Sequence, residues 1–208
     1  VCEDRGDSFY VMDCGIPTST SLSVTTALQG FDTSYAATWW PWGRILDSDR
    51  NKPILVPPSI FVPRAMVNVD VFGKPWQAPA GTQFGRLPDV IEPFKRLTQS
   101  DTDTLYDGRV NPILYYTNRS GAYIWGQKTL QGAPSLLDRI NVRMLIIYIK
   151  KYVADRSKDF VFTNNTAQVR SALRAALNPF FSKIVQDGGL YKYEVIISEN
   201  QADIDRNM

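Results

Sequence analysis

Tyr123-Ile124-Trp125-Gly126-Gln127-Lys128-Thr129-Leu130-Gln131, followed by Leu136-Leu137-Asp138-Arg139-Ile140-Asn141-Val142-Arg143, decides how this chain reads. It begins as a strand-like apolar run, passes through a polar turn and enters a helix. No general base, nucleophile or metal-ligand set accompanies it. A segment this particular in sequence and this poor in chemistry suggests a part that holds position.

Working outward, the spacing predicts the strongest helix over Asn141 to Asp155. Val142, Leu145, Ile146, Ile149, Tyr152 and Val153 recur at helical intervals, and Met144, Ile147 and Tyr148 widen the stripe. Upstream, Ile113 to Tyr116 and Ala122 to Trp125 flank a Gly-containing loop and predict a hairpin. Downstream, Asp159 to Phe162 reads as a short strand and Thr166 to Gln186 as a second long helix, kinked at Pro179. Leu190 to Ser198 alternates like a half-buried strand.

Toward the N-terminus, Ser8 to Asp13 reads as a buried strand and Ser21 to Gln29 as a short helix stopped by Gly30. Ala36 to Trp42 reads as a strand placed at an edge or bulge by Pro41, continued by Arg44 to Asp47. Ser59 is a candidate cap for a helix from Ile60 to Phe72, with Val62, Ala65, Met66, Val69 and Phe72 inward. Gly73 to Gly81 reads as a structured loop. Ser100 to Arg109 predicts a short helix broken by Asn111-Pro112. Helices and strands interleave throughout, so the fold class is α/β (α+β), with a mixed sheet flanked by helices. Residues 1–208 read as one core domain, with 1–33 a candidate end of a preceding segment.

Composition narrows the chemistry. The 208 residues include no histidine, which excludes histidine-dependent triads and histidine-ligated zinc. Cys2 and Cys14 cannot build a zinc cage unaided; a disulfide between them would close a 13-residue span, but two lone cysteines in such a chain are more often reduced. A formal net charge of +2 does not argue for nucleic acid or a membrane. The apolar run Met144 to Ile149 is far short of the ~20 residues of a membrane span, and Val1 to Arg5 has no signal-peptide layout. The chain starts without methionine and reads as a piece of something longer.

Several motifs tempt. Gly121 to Thr129 nearly spells a P-loop, but Gln127 separates Gly126 from Lys128, and Gly132-Ala133-Pro134 stands where a helix must begin. Arg5-Gly6-Asp7 is a three-residue match at a solvated terminus. Asn118-Arg119-Ser120 and Asn164-Asn165-Thr166 are glycosylation sequons with no sign of secretion beside them. Asp101/Asp103 and Asp47/Asp49, with five tryptophans, suggest an alternative reading as a carbohydrate-active enzyme, though all four sit where aspartate caps or turns the backbone. Lys150, Lys151, Arg156 and Lys158 complement a helix C-terminus, and Arg170 and Arg174 lie one turn apart on the next helix.

Ordered text carries a resemblance. It includes Ser34-Tyr35-Ala36-Ala37, Trp40-Pro41-Trp42, Val56-Pro57-Pro58-Ser59 and Pro75-Trp76-Gln77-Ala78-Pro79-Ala80-Gly81. It continues through Leu105-Tyr106-Asp107-Gly108-Arg109-Val110-Asn111-Pro112-Ile113, Trp125 to Leu130 and Leu137 to Arg143, and closes with Asn178-Pro179-Phe180 and Asp205-Arg206-Asn207. In this order the chain resembles the conserved core of the contractile phage tail sheath family.

The resemblance implies a structural, non-enzymatic subunit of the virion, assembled in the host cytoplasm. Such subunits surround a tail tube and contract to drive it through the host envelope. It implies no cofactor, no nucleic acid and no membrane partner. The implied partners are other sheath subunits, joined through terminal arms that donate strands, and the tail tube protein. Related sheaths occur in phage-tail-like bacteriocins and type VI secretion. Because both arms look absent, this stretch by itself is expected to be monomeric. The tube contact is expected at Lys150, Lys151, Arg170 or Arg174.

Overall fold

The computed structural model describes residues 1–119 and 121–197. Within it the chain divides into two compact units, 1–147 and 148–208. In chain order the first unit contains helix α1 (Cys2–Arg5), strand β1 (Tyr10–Asp13), α2 (Ser21–Ala27), β2 (Ala36–Trp40), β3 (Gly43–Asp47) and β4 (Lys52–Val56). It continues with α3 (Pro58–Phe72), α4 (Gly81–Phe84), β5 (Arg86–Leu87), β6 (Val90–Pro93), α5 (Gln99–Asp107), β7 (Asn111–Tyr116) and β8 (Gly121–Ile124). Helix α6 (Ile140–Ser157) begins in this unit and ends in the second, which also holds α7 (Ala167–Gln186).

A five-stranded mixed sheet runs in the order β1-β2-β7-β8-β5. Strands β1, β2 and β7 are parallel, while β8 returns antiparallel to β7 and pairs with β5. Strand β2 is buried along its whole length. Alternation sends its side chains to opposite faces, so both faces must be covered. Ala37 and Trp39 pack in one core with Phe61, Val62 and Ala65 of α3. Ala36 and Trp40 pack in the other with Val24 of α2 and Leu105 of α5. This is the expected class, a mixed sheet flanked by helices.

Strands β4-β3-β6 form a separate antiparallel sheet, with a register shift between Arg44 and Ile45. Arg44 to Asp47 therefore does not continue β2, because Pro41 ends that strand after Trp40 and the chain turns into another sheet. Nor is β2 an edge. The edge on that side of the sheet is β1, whose residues are only half-buried or exposed, so it is not a buried strand.

Helix starts follow their caps. Thr20 and Thr98 each close a reciprocal capping box, with Ser23 and Asp101. Thr166 caps α7 through Val169 N. Ser59 is not a cap: α3 starts one residue earlier on Pro58, and the Ser59 hydroxyl binds Asp13 Oδ2 at 2.6 Å. Phe72, expected inward, is exposed at the end of α3.

In the second unit Tyr152 stacks on Phe180 at 3.7 Å between centroids, and Leu177 and Ile184 are buried. Pro179 lies inside α7. Two expected strands do not form. Lys158–Phe160 is a 3₁₀ turn running on from α6, and residues 190–197 are irregular with no ladder partner among the described residues. That segment is tied instead to α7. The Tyr193 ring stacks on Phe181, and its hydroxyl lies 2.7 Å from Ser182 Oγ and donates to Asn178 O at 3.2 Å. Asp205-Arg206-Asn207, Ser198 and Ser120 lie outside the described residues.

Candidate functional site

The segment after β8 is fastened by one side chain that sequence reasoning missed. Asn111, the first residue of β7, is fully buried. Its Nδ2 donates to Thr38 O at 3.0 Å and Lys128 O at 2.8 Å, while its Oδ1 accepts from Lys128 N at 2.7 Å. An amide with a donor and an acceptor on one planar head can pair both backbone groups of Lys128. Gly126 is part of the same fit, because a Cβ there would sit 2.8 Å from Asn111 Oδ1. From sequence, Asn111-Pro112 reads only as a helix breaker. The available signal was a polar residue heading an apolar strand.

Further bonds seat the rest of the segment. Leu130 N donates to Ala36 O at 2.9 Å, Thr129 N to Asp138 O at 2.8 Å and Ile140 N to Gln127 O at 2.8 Å. Lys128 and Arg139 form an isolated antiparallel bridge. Both cations converge on Tyr106 of α5. Lys128 Nζ donates to Tyr106 O at 2.9 Å and lies 3.9 Å from the ring centroid, and Arg139 Nη1 donates to the Tyr106 hydroxyl at 2.7 Å. That hydroxyl bond is the main cause of a raised Arg139 pKa. Arg143, on the first turns of α6, is 5% exposed. It donates to Ser34 Oγ and lies over the Tyr35 ring at 3.9 Å.

This arrangement removes the phosphate reading of Gly121–Thr129. Gly121–Ile124 is β8, and 125–135 enter no helix whose free amides could cradle an anion. Three of the four aspartates are tied into local caps, turns and side-chain bonds. Asp101 accepts from Ser21 Oγ at 2.8 Å and from Thr98 at its N-cap, and the serine bond leads the causes that lower its pKa to about 2. Asp103 accepts from Gln99 Nε2, and Asp47 from the amides of Asp49 and Arg50. Cys2 and Cys14 are free thiols, and burial pushes Cys14 up to about 11, away from nucleophilic use. Among the described residues no cluster of three metal-ligating side chains occurs, and no helix is long and apolar enough to cross a membrane.

The four basic residues expected at a tube contact all lie in the second unit. Lys150 and Lys151 are exposed on α6. Lys150 stands two residues from both Tyr148 and Tyr152, on the side of α6 turned from their ring contacts with Phe180. Arg170 and Arg174 share one side of α7 and are half-buried. Arg170 Nη1 donates to Asn165 Oδ1 at 2.9 Å. Arg174 borders a hollow with Asn178, Tyr193, Val195 and Ile197.

No family model matches the chain. It is 28% identical over 190 residues to the tail sheath protein of Vibrio phage KVP40, covering 90% of this chain and 27% of that protein. It is 31% identical over 155 residues to the tail sheath protein of Enterobacteria phage T4, covering 73% of this chain and 23% of that protein. The chain thus spans about a quarter of the length of these relatives. Among solved structures, a contracted sheath complex of the PVC extracellular contractile injection system superposes with a TM-score of 0.81 at 24% identity, covering 96% of this chain and 57% of that one. The baseplate structure of the anti-feeding prophage gives 0.79 at 18% identity, covering 96% and 54%. In sequence with the phage proteins and in fold with the solved injection-system chains, this chain belongs with the contractile tail sheath proteins and corresponds to part of their length.

Proposed function

We propose that the protein carrying this chain is a structural subunit of a contractile tail sheath, surrounding a tail tube and contracting to drive it through a host envelope. The observation that carries this reading is the similarity to a phage tail sheath protein along nine-tenths of the chain. The site geometry supports it. The Asn111-centred seam offers no substrate-activating group, and its bonds lock the sheet to the start of α6. A unit built this way moves as a rigid body, which a contracting lattice requires of its subunits. The role is non-enzymatic, needs no cofactor, and is exercised in the virion after assembly in the host cytoplasm.

The tube contact is assigned to Lys150, Lys151, Arg170 and Arg174. Exposed lysines give a solvated, salt-sensitive contribution, and the half-buried arginines a more directional one. Charge reversal at Lys150 and Lys151 in the full-length protein is expected to reduce assembly on purified tubes, more at low salt than at high. Unchanged assembly at both salt levels removes these residues from the contact.

A further inference from the structure

A hollow of about 540 Å³ opens in the first unit between α5 and the segment that follows β8. Gln99, Thr102, Asp103 and Tyr106 stand at i, i+3, i+4 and i+7, so one face of α5 makes a wall of it. Trp125 and Arg139 line it from the segment after β8. Trp125 is 43% exposed, and an edge-to-face contact with Tyr116 at 5.5 Å between centroids holds its indole in place. A half-exposed indole fixed in this way is a plate for the apolar face of a ligand.

Half of the hydrogen-bonding capacity around that plate is committed and half is open. Gln99 Nε2 donates to Asp103 Oδ1 at 2.9 Å, which sets the two side chains side by side. Gln99 Oε1 and Asp103 Oδ2 then have no donor among the described residues. The Tyr106 hydroxyl accepts from Arg139 Nη1, so its own hydrogen is still to be donated. Arg139 Nε pairs with Asp138 at 3.1 Å, and Nη2 stays open. Gln127 Oε1 is sealed within the wall and takes no part. The charges balance: Asp103 and Arg139 line the hollow, Asp138 sits on Arg139 and Lys128 on Tyr106.

We propose that this hollow binds a neutral hexopyranose ring of a glycan, with one C–H face of the sugar against Trp125. A hydroxyl group both donates and accepts, and neighbouring hydroxyls of one ring stand side by side. Two of them donate to Gln99 Oε1 and Asp103 Oδ2, and others accept from Arg139 Nη2 and the Tyr106 hydroxyl. A charged ligand would leave a balanced set of ions with an excess of one sign. An extended peptide sends successive N–H groups to opposite sides and does not bring two donors together. Asp103 is the one carboxylate in the lining, which suits binding, whereas cleavage needs a second carboxylate across the sugar. The small contact area of one ring sets a Kd on the order of 1 mM. This binding is separate from the sheath role and does not rest on it.

Saturation-transfer NMR on the full-length protein tests the proposal. The probes are maltotriose, cellotriose and chitotriose as neutral glycans and arginine methyl ester as a cation, each at millimolar concentration. The expected result is transfer to at least one of the glycans, reduced about fivefold or more in Trp125→Ala and in Asp103→Ala, with thermal melts showing the variants folded. Asp103 is exposed on α5, where alanine favours the helix, so that variant keeps the test decisive should Trp125→Ala fail to fold. No transfer to any of the three glycans overturns the proposal. Transfer that the folded variants retain places the sugar elsewhere and overturns it too. Transfer to arginine methyl ester alone, lost in the variants, assigns the hollow to a cation and overturns the sugar.

Discussion

The two units solve the same problem to different depths. In the first, a sheet buried on both faces carries most of the core, and side-chain amides and guanidinium groups tie its loops down. In the second, two helices share a tilted and stacked set of rings around Phe180, and only Leu177 and Ile184 of α7 are buried. Phe162, Tyr191 and Ile196 stay in water. The contrast lies in the depth of the core, not in the surface: the first unit buries a sheet on both faces, the second buries little more than one face of α7, and both leave large apolar side chains exposed, Phe72 and Leu136 in the first as well as Phe162 and Tyr191 in the second.

The largest test of that contrast is at the seam. Asn111→Leu leaves Thr38 O, which is buried, and Lys128 N and O, which are part-buried, without their side-chain partner, and should cost roughly 3–5 kcal/mol in urea unfolding. A loss below about 1 kcal/mol would mean that the seam is not what completes the first unit. Leu177→Ala in α7 should cost less, about 2–3 kcal/mol, because its thinner surroundings can relax into the space.

A smaller effect is expected where α2 meets α5. Ser21→Ala should remove about 1 kcal/mol by withdrawing the strongest bond to the Asp101 carboxylate. The sign with pH follows from the lowered value. The stability that Asp101 contributes is present above its ordinary 3.8 and is lost as pH falls toward about 2. Acid titrations of the parent protein and Ser21→Ala should therefore converge in that window, and parallel curves would contradict the assignment. Smallest of all, Phe162→Ser should change stability by less than about 0.5 kcal/mol, as expected for a ring wholly in solvent. A large loss in a melt would show that the second unit is more complete than its exposure indicates.

Much of the first unit was legible in sequence because its signals are local. Thr20 and Thr98 stand before the helices they cap, and the β7–β8 hairpin is written in alternation around a glycine loop. What was illegible depends on partners distant in sequence. Pro41 suggests an edge, yet β2 is central because β1 and β7 flank it before the proline is reached. Arg143 reads as a polar helix position, yet Ser34 and Tyr35 bury it. The alternation of 190–197 predicts a strand, but alternation names only a face, and here Tyr193 finds α7 rather than a ladder. The seam itself was visible as a stretch without chemistry, and its fastening by Asn111 was not.

A chain that is part of a contractile tail sheath subunit belongs to a protein that polymerises. Electron microscopy of the full-length protein, expressed with and without its tail tube protein, tests it most directly. Helical tubular polymers are expected, ordered on the tube where it is present, with subunits superposing on the fold described above. Monodisperse particles that ignore the tube at every concentration tried would contradict it.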